Sequence, residues 1–315
     1  MQTNGIRIFY GITNNKIDVT DICMKSLMRK SIICIPSTDN VRDEFFPDPI
    51  FGVIKEIYVE IKNNIRTFDQ TETVYIDMRI STSTEIYTLY TVPDEIYDTY
   101  HYIENNLSKL HSKLKLDYGS FDEEYPEQIM AQLFIQPDAK VLEIGTNIAR
   151  NSMIIASILN DETNLLTLES DANTAKQAIH NRDINNMKFH IEPSALSIRP
   201  LIQDKWDTIV SDILLPGYKK VSTINLEQLK EKYPINFDTL VLDCEGAFYF
   251  ILKDMPNILD GIKTIIVEND YQVLEHYKYV KSTLQNSEFK SVYTRRGGLS
   301  KHVCKDNFFE VLRIQ

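Results

Sequence analysis

The sequence offers no paired cysteines. Cys23, Cys34, Cys244 and Cys304 stand far apart, with no Cys-x-x-Cys and no adjacent histidine. That excludes the usual zinc-ribbon and disulfide-scaffold spacings and favours a reducing, cytosol-like compartment. His180, His190, His276 and His302 show no ligand spacing and read as surface or packing residues. No apolar run is long enough to span a bilayer, and the residues after Met1 are too polar to open a signal peptide, so a cytoplasmic location is expected. Basic charge is in deficit, with 34 Lys and Arg against 45 Asp and Glu and a net charge of −11. That balance argues against a nucleic-acid partner held by phosphate neutralisation. Internal repeats and low-complexity tracts are also absent.

What remains is ordinary for a globular protein, with 43% hydrophobic and 25% charged residues over 315 positions, enough for two domains. Residues 1–93 read as a small strand-rich or α+β accessory domain. Ile6 to Ile12 and Ser31 to Ile35 suit strands, with a short helix or turn over Val19 to Met28. Ile57, Val59 and Ile61 alternate with polar neighbours, as do Val74, Ile76 and Met78 in a strand running to Ile80. Asp39 to Glu44 reads as a solvated loop. A connecting helix and linker occupies 94–119, opening after Pro93 with acidic residues and carrying Ile96, Tyr100, Ile103, Leu107, Leu110 and Leu114 as a packing stripe.

From residue 120 to 315 strands alternate with helices, the pattern of a mostly parallel sheet covered on both faces. Strands are expected at Val141–Ile144, Leu165–Leu168, Lys188–Ile191, Phe237–Leu242 and Ile262–Val267, with helices between them. Phe289–Thr294 and Phe308–Ile314 close the chain as two strands with no helix between, an antiparallel hairpin of the methyltransferase type. The segment Val141-Leu142-Glu143-Ile144-Gly145-Thr146-Asn147 is a strand running into a glycine turn, followed by a helix apolar on nearly every face. Such a turn exposes helix-terminal amides to an anionic group. Parallel strands also bring Glu143, Glu169, Asp243, Glu245, Glu268 and Asp270 to one sheet edge. Glu169, about twenty residues past the turn, has the spacing at which an acid accepts both ribose hydroxyls.

These motifs, in this order, resemble the FkbM family of S-adenosylmethionine-dependent methyltransferases. Glu143-Ile-Gly-Thr-Asn-Ile-Ala149 is similar to the family's glycine turn, and Leu168-Glu169 to the end of its second strand. Ser194-Ala195-Leu196-Ser197 is similar to the segment after its third. Asp243-Cys244-Glu245-Gly246-Ala247 resembles its Asp-x-Glu-Gly signature, and Glu268 falls where its fifth strand ends. Two positions depart from the pattern: Ala149 replaces a glycine, and Ser170 replaces a proline.

The resemblance implies a Rossmann-like class I fold with S-adenosylmethionine as cofactor. Its methionine arm would lie on Gly145, Thr146 and Asn147 with Glu143 near the ammonium. Glu169, with Ser170 beside it, would take the ribose, and Ser194 and Ala195 would flank the adenine. The acceptor it implies is a hydroxyl of a sugar, glycan or related small molecule. Asp243 is the candidate base, with Glu245 orienting it or the acceptor. Asp243, Glu245, Glu268 and Asp270 carry oxygens of the kind Mg²⁺ or Ca²⁺ prefers, but no metal is assigned. The competing reading is a non-catalytic glycan-binding or scaffold protein on a degenerate methyltransferase fold, for which Ala149 is the main feature.

Overall fold

The computed structural model describes residues 5–62, 64–79, 85–88, 91–205, 207–298 and 301–314. The chain divides into two compact units, Met1–Ile103 with Tyr293–Gly297 and Glu104–Val292 with Gly298–Gln315. Among the described residues no helix is long and apolar enough to cross a membrane.

The first unit contains two four-stranded sheets. One runs in the order Asn15–Asp18, Ile6–Ile12, Glu56–Ile61, Asn64–Phe68, and the other in the order Met28–Arg29, Ile32–Ile35, Val74–Asp77, Glu85–Thr88. Neighbouring strands in both sheets are antiparallel. Period-two alternation puts Ile6, Ile8, Tyr10, Ile33, Ile35, Ile57, Val59, Val74 and Ile76 into one shared core. Ile80, placed on a strand by the sequence pattern, lies outside the described residues. The segment expected as a solvated loop is instead the helix Asp39–Arg42. Tyr10 Oη lies 2.6 Å from both Asp39 and Asp43, and Lys55 Nζ lies 3.1 Å from Asp39 and 3.2 Å from Asp48. Arg42 is fully buried and donates to the carbonyls of Pro36, Asp69 and Glu72. The charges there are internal partners, which a charge run alone does not reveal.

The second unit is built on a seven-stranded sheet. In chain order its strands are Val141–Ile144, Leu165–Leu168, His190–Glu192, Thr239–Leu242, Thr264–Glu268, Phe289–Arg295 and Phe309–Ile314, and in space they run 3-2-1-4-5-7-6. The first five are parallel, and the seventh is antiparallel to the fifth. The chain is thus a Rossmann-like α/β protein with a methyltransferase-type sheet. The first, second and fourth strands are buried at every position, as strands covered on both faces must be.

Register fixes what the sheet presents. Ile144 pairs with Leu168 and with Leu242, and Leu242 pairs with Val267. The next residues along, Gly145, Glu169, Asp243 and Glu268, therefore come off adjacent strands at one level. Between the third and fourth strands the sequence pattern gave no element. The structure has a three-stranded antiparallel sheet there (Leu201–Asp204, Asp207–Val210, Lys219–Val221), a short parallel pair (Ala195–Leu196 with Thr223–Ile224) and a helix, Leu226–Lys232. That helix opens with a capping box of Asn225 and Gln228.

Gly145 is demanded by packing. Its φ is +100°, and a Cβ there would stand 1.6 Å from the Asp243 carbonyl oxygen. Gly261, with φ +83°, would place a Cβ 3.5 Å from the Phe237 carbonyl, an ordinary contact. Denaturant unfolding should therefore separate the two alanine variants. We expect Gly145→Ala to cost about 3 kcal/mol or more, from overpacking against backbone, and Gly261→Ala about 1 kcal/mol, from its dihedral alone. Equal losses would contradict the close approach.

Candidate functional site

The turn after the first strand is secured from the second. The amides of Gly145 and Thr146 both donate to the Leu168 carbonyl at 3.1 and 3.0 Å, and the Thr146 and Thr167 hydroxyls bond to each other. Asn147, with φ +49°, donates its N–H to Glu169 Oε2 at 2.9 Å. The other Glu169 oxygen accepts from Asp171 N–H at 2.8 Å. The Ser170 N–H bonds to the same carboxylate, so three backbone donors hold it and, of its four lone-pair directions, about one stays open to a hydroxyl donor. Burial pushes the Glu169 carboxyl above its ordinary range, against those backbone bonds.

Glu143 does not line an open crevice. It is 1% exposed, and its carboxylate accepts from Asn151 Nδ2 at 3.1 Å and from the Ser152 hydroxyl. Both donors lie in the first turn of the helix Arg150–Ile158, so Glu143 anchors the start of that helix. Burial pushes Glu143 up to about 7. Asn151 Oδ1 is buried and meets no hydrogen-bond donor among the described residues. Ala149, the departure from the glycine pattern, has φ +72° and is completely enclosed, so its methyl group does not project into open space.

Ser194 and Ala195 join the same edge through Glu192, whose carbonyl accepts from Glu169 N–H at 3.1 Å. Their own amides are engaged: Ser194 N–H donates to the Glu192 carbonyl at 2.9 Å and Ala195 N–H to the Ser222 carbonyl at 2.8 Å. Ser170 donates to Gln203 Oε1 at 3.2 Å, which ties the inserted sheet to the second-strand turn.

At the fourth and fifth strand ends, carboxylates gather. Oxygens of Glu127, Asp243 and Glu268 lie within 4.8 Å of one another. Burial raises Glu268 well above the carboxylate range, with the charges of Asp243 and Glu127 adding to it, so it holds its proton at neutral pH and has a single O–H to share between the two neighbours. Burial, then Glu127, raises Asp243 to about 7, while the Glu268 hydrogen bond and Arg150 oppose the rise. The spacing would suit a divalent cation, but with that O–H between Glu127 and Asp243 we read the three as sharing protons. Glu245 bonds to Asp270 instead, and that bond is the main cause of its raised carboxyl.

Arg150 ion-pairs with Glu123 and Glu124, and Glu124 also accepts from Asn147 Nδ2 at 3.1 Å. Glu123, Glu124 and Glu127 thus belong to the site, although the sequence reading did not single them out. Glu127 is an acid in the first turn of the helix Tyr125–Phe134, and that is the one signal the sequence carried. Burial pushes Glu124 up to about 7.

No protein-family model and no curated protein matches the chain. Several solved structures resemble part of it. An O-methyltransferase from Bacillus cereus in complex with S-adenosylhomocysteine is 13% identical, with 68% of this chain and 90% of that one covered and a TM-score of 0.39. The O-methyltransferase TomG from Streptomyces achromogenes, in complex with S-adenosylmethionine, is 12% identical over 66% and 89% at 0.37. M. capricolum TrmK, with S-adenosylhomocysteine, is 14% identical over 60% and 66% at 0.37. The fold assignment rests on strand order and direction, and these likenesses add nothing to it.

Raised carboxyl groups make stability fall as pH rises. Glu143 and Glu124 would titrate near 4.5 in the unfolded chain and near 7 in the folded one. Their contribution is complete below about pH 4.5 and is lost through about pH 7. The Tm should therefore decline between about pH 5.5 and 8, and a Tm rising across that window would contradict the burial of these acids. Glu268→Gln removes the need to protonate this buried carboxyl on folding, so the variant should be at least as stable as the parent at pH 7.5, and its Tm should fall less steeply with pH; a clear loss of stability there would contradict the raised carboxyl.

Proposed function

We propose that the chain is an S-adenosylmethionine-dependent O-methyltransferase of the FkbM type, acting in the cytoplasm on a hydroxyl of a sugar, glycan or related small molecule. Residues 1–93 serve as its accessory domain and 94–119 as the connection. The observation that carries this reading is the 3-2-1-4-5-7-6 sheet with its antiparallel seventh strand, which delivers the glycine turn, Glu169 and Asp243 to one edge. Open α/β sheets bind ligands at that edge.

The residues present suit the cofactor. Glu169, held by three backbone donors, keeps an acceptor direction for a ribose hydroxyl, and Ser170 stands beside it. Asn151 Oδ1 is a buried acceptor awaiting a donor, the complement of an ammonium group. Gly145, Thr146 and Asn147 lead into the Arg150–Ile158 helix, whose N-terminal end favours a carboxylate. Glu143 would then act by fixing that helix rather than by touching the ammonium. Ser194 and Ala195 would border the adenine through atoms other than their amides. When bound, the cofactor supplies an electrophilic methyl group on sulfur.

The chain's own part is alignment and proton removal. Asp243, raised to about 7, is matched to take a hydroxyl proton near neutral pH. Glu268, held protonated beside it, donates to the Asp243 carboxylate, while Glu127 crowds it with negative charge and raises its basicity. Glu245 orients the acceptor. The net acidic charge suits a neutral acceptor better than a polyanion.

Incubating the protein and S-adenosylmethionine with a panel of sugars, nucleotide sugars and glycans should add one methyl group to a member, read by mass spectrometry. With that acceptor, Asp243→Asn should retain the cofactor yet lose at least about a hundredfold in kcat. Turnover at the parent rate would move the base elsewhere. Glu169→Ala should weaken cofactor affinity about tenfold or more, and an unaltered Kd would remove its ribose role.

A further inference from the structure

The helices that follow the fourth and fifth strands, Phe248–Asp254 and Leu274–Asn286, open with aromatic residues that the methyl-transfer reading leaves unused. Such helices run back from the carboxyl edge of the sheet, so their first turns stand at the rim of the crevice. Tyr249 N–H donates to the Gly246 carbonyl at 3.3 Å and Phe250 N–H to the Ala247 carbonyl at 3.0 Å, about one turn from Glu245. His276 N–H donates to the Val273 carbonyl at 3.1 Å, and Tyr279 follows one turn along that helix. The two helix starts are neighbours: a Cβ on Gly246, φ +76°, would fall 3.0 Å from the Asp270 carbonyl oxygen.

Across that junction the Tyr249 and His276 rings stack, with centroids 3.8 Å apart and planes 8° from parallel. Phe250 stands at 76° to Tyr249 and 75° to His276, and Tyr279 at 83° to Tyr249. The stacked pair is half-buried, while Phe250 and Tyr279 are each 38% exposed. Two rings of about 200 Å² each therefore leave about 150 Å² open. Even with Val273 and Leu274 exposed nearby, that is far below the roughly 800 Å² per partner of a stable protein interface. The patch is on the scale of a small ring.

The chemistry around it selects the kind of ring. Aromatic faces carry negative potential and attract weakly positive C–H bonds, of the sort that line one side of a pyranose. At the border, Glu245 and Glu275 are exposed, and Gln272 gives its Nε2 to Asp270 at 2.9 Å, which leaves Oε1 as an acceptor. These are acceptors for hydroxyl groups, and the two carboxylates disfavour an anion. We propose that Phe250 and Tyr279, braced by the Tyr249–His276 stack, form a platform for an uncharged pyranose ring of the acceptor glycan. The platform holds a sugar at the rim and selects which glycan enters, without touching the reacting atoms. Its place in the acceptor path rests on the methyltransferase reading, whereas saccharide binding by these rings does not.

The test is saturation-transfer NMR on the full chain with the methyl pyranosides of glucose, galactose, mannose, rhamnose and N-acetylglucosamine, and with cellobiose, maltose, lactose and chitobiose. At least one should bind, with saturation strongest on the C–H protons of one ring face; silence from every member overturns the proposal. For the saccharide bound, Phe250→Ala and Tyr279→Ala should each weaken the Kd about fivefold or more, and Phe250→Leu and Tyr279→Leu, which keep apolar bulk and the fold, should weaken it as much. Parent affinity in the alanine variants, or its recovery with leucine, overturns the role of the ring faces. Phe51→Ala removes a ring that is 96% exposed in the first unit and should change nothing, and an equal loss there overturns the assignment. Calorimetry with S-adenosylhomocysteine should give the Phe250 and Tyr279 variants a Kd within about twofold of the parent, and a tenfold loss overturns a purely acceptor-side platform. Saccharide binding by a folded chain that takes up no S-adenosylhomocysteine would sink the methyltransferase reading and leave the platform standing.

Discussion

The second unit depends on the near-contact of Gly145 with the Asp243 carbonyl. A single Cβ would occupy that space, and the approach is what lets the turns after the first and fourth strands lie side by side. The Asp243 amide donates to the Ile144 carbonyl at 3.0 Å and continues the ladder one step past the strands. The strand-end acids are then placed by register: Glu169 on one side of the glycine turn, Asp243 and Glu268 on the other. A glycine that looks like an allowance for a ligand is first an allowance for backbone.

The edge so formed is electrostatically expensive. Glu124, Glu143, Asp243, Glu245 and Glu268 all hold raised carboxyl groups, chiefly through burial, and in Glu245 chiefly through its bond to Asp270. Arg150 is the cation that meets Glu124 and moderates Asp243. Neighbouring carboxyl groups pushed to different degrees are the usual means of setting acid and base apart within one crevice. Here Glu268 holds its proton, and Asp243 is poised to exchange one. Glu143 differs in kind: its partners are all within the fold, and its burial serves the helix that follows the turn.

Much of this was legible in the sequence. The strand-and-helix alternation of the second unit was, because strands buried on both faces appear as short apolar runs: Val141–Ile144, Leu165–Leu168 and Thr239–Leu242 lie within the expected spans. The acidic strand ends were also legible, since parallel strands point one way. The inserted sheet at 201–221 was not, because its strands are three or four residues long and show no alternation to read. Glu127 was missed for a different reason. It comes from a helix ahead of the first strand, and only tertiary packing brings it to Asp243. Asp39 to Glu44 misled in the opposite sense, since a polar run can supply buried partners as readily as a solvated face.

The central claim, that this sheet edge receives S-adenosylmethionine, is tested most directly by titrating the folded full-length chain with S-adenosylhomocysteine in a calorimeter. The account predicts saturable one-to-one binding with a Kd of about 100 μM or tighter, that is, at least about 5.5 kcal/mol. No heat and no saturation from a protein shown to be folded would contradict it.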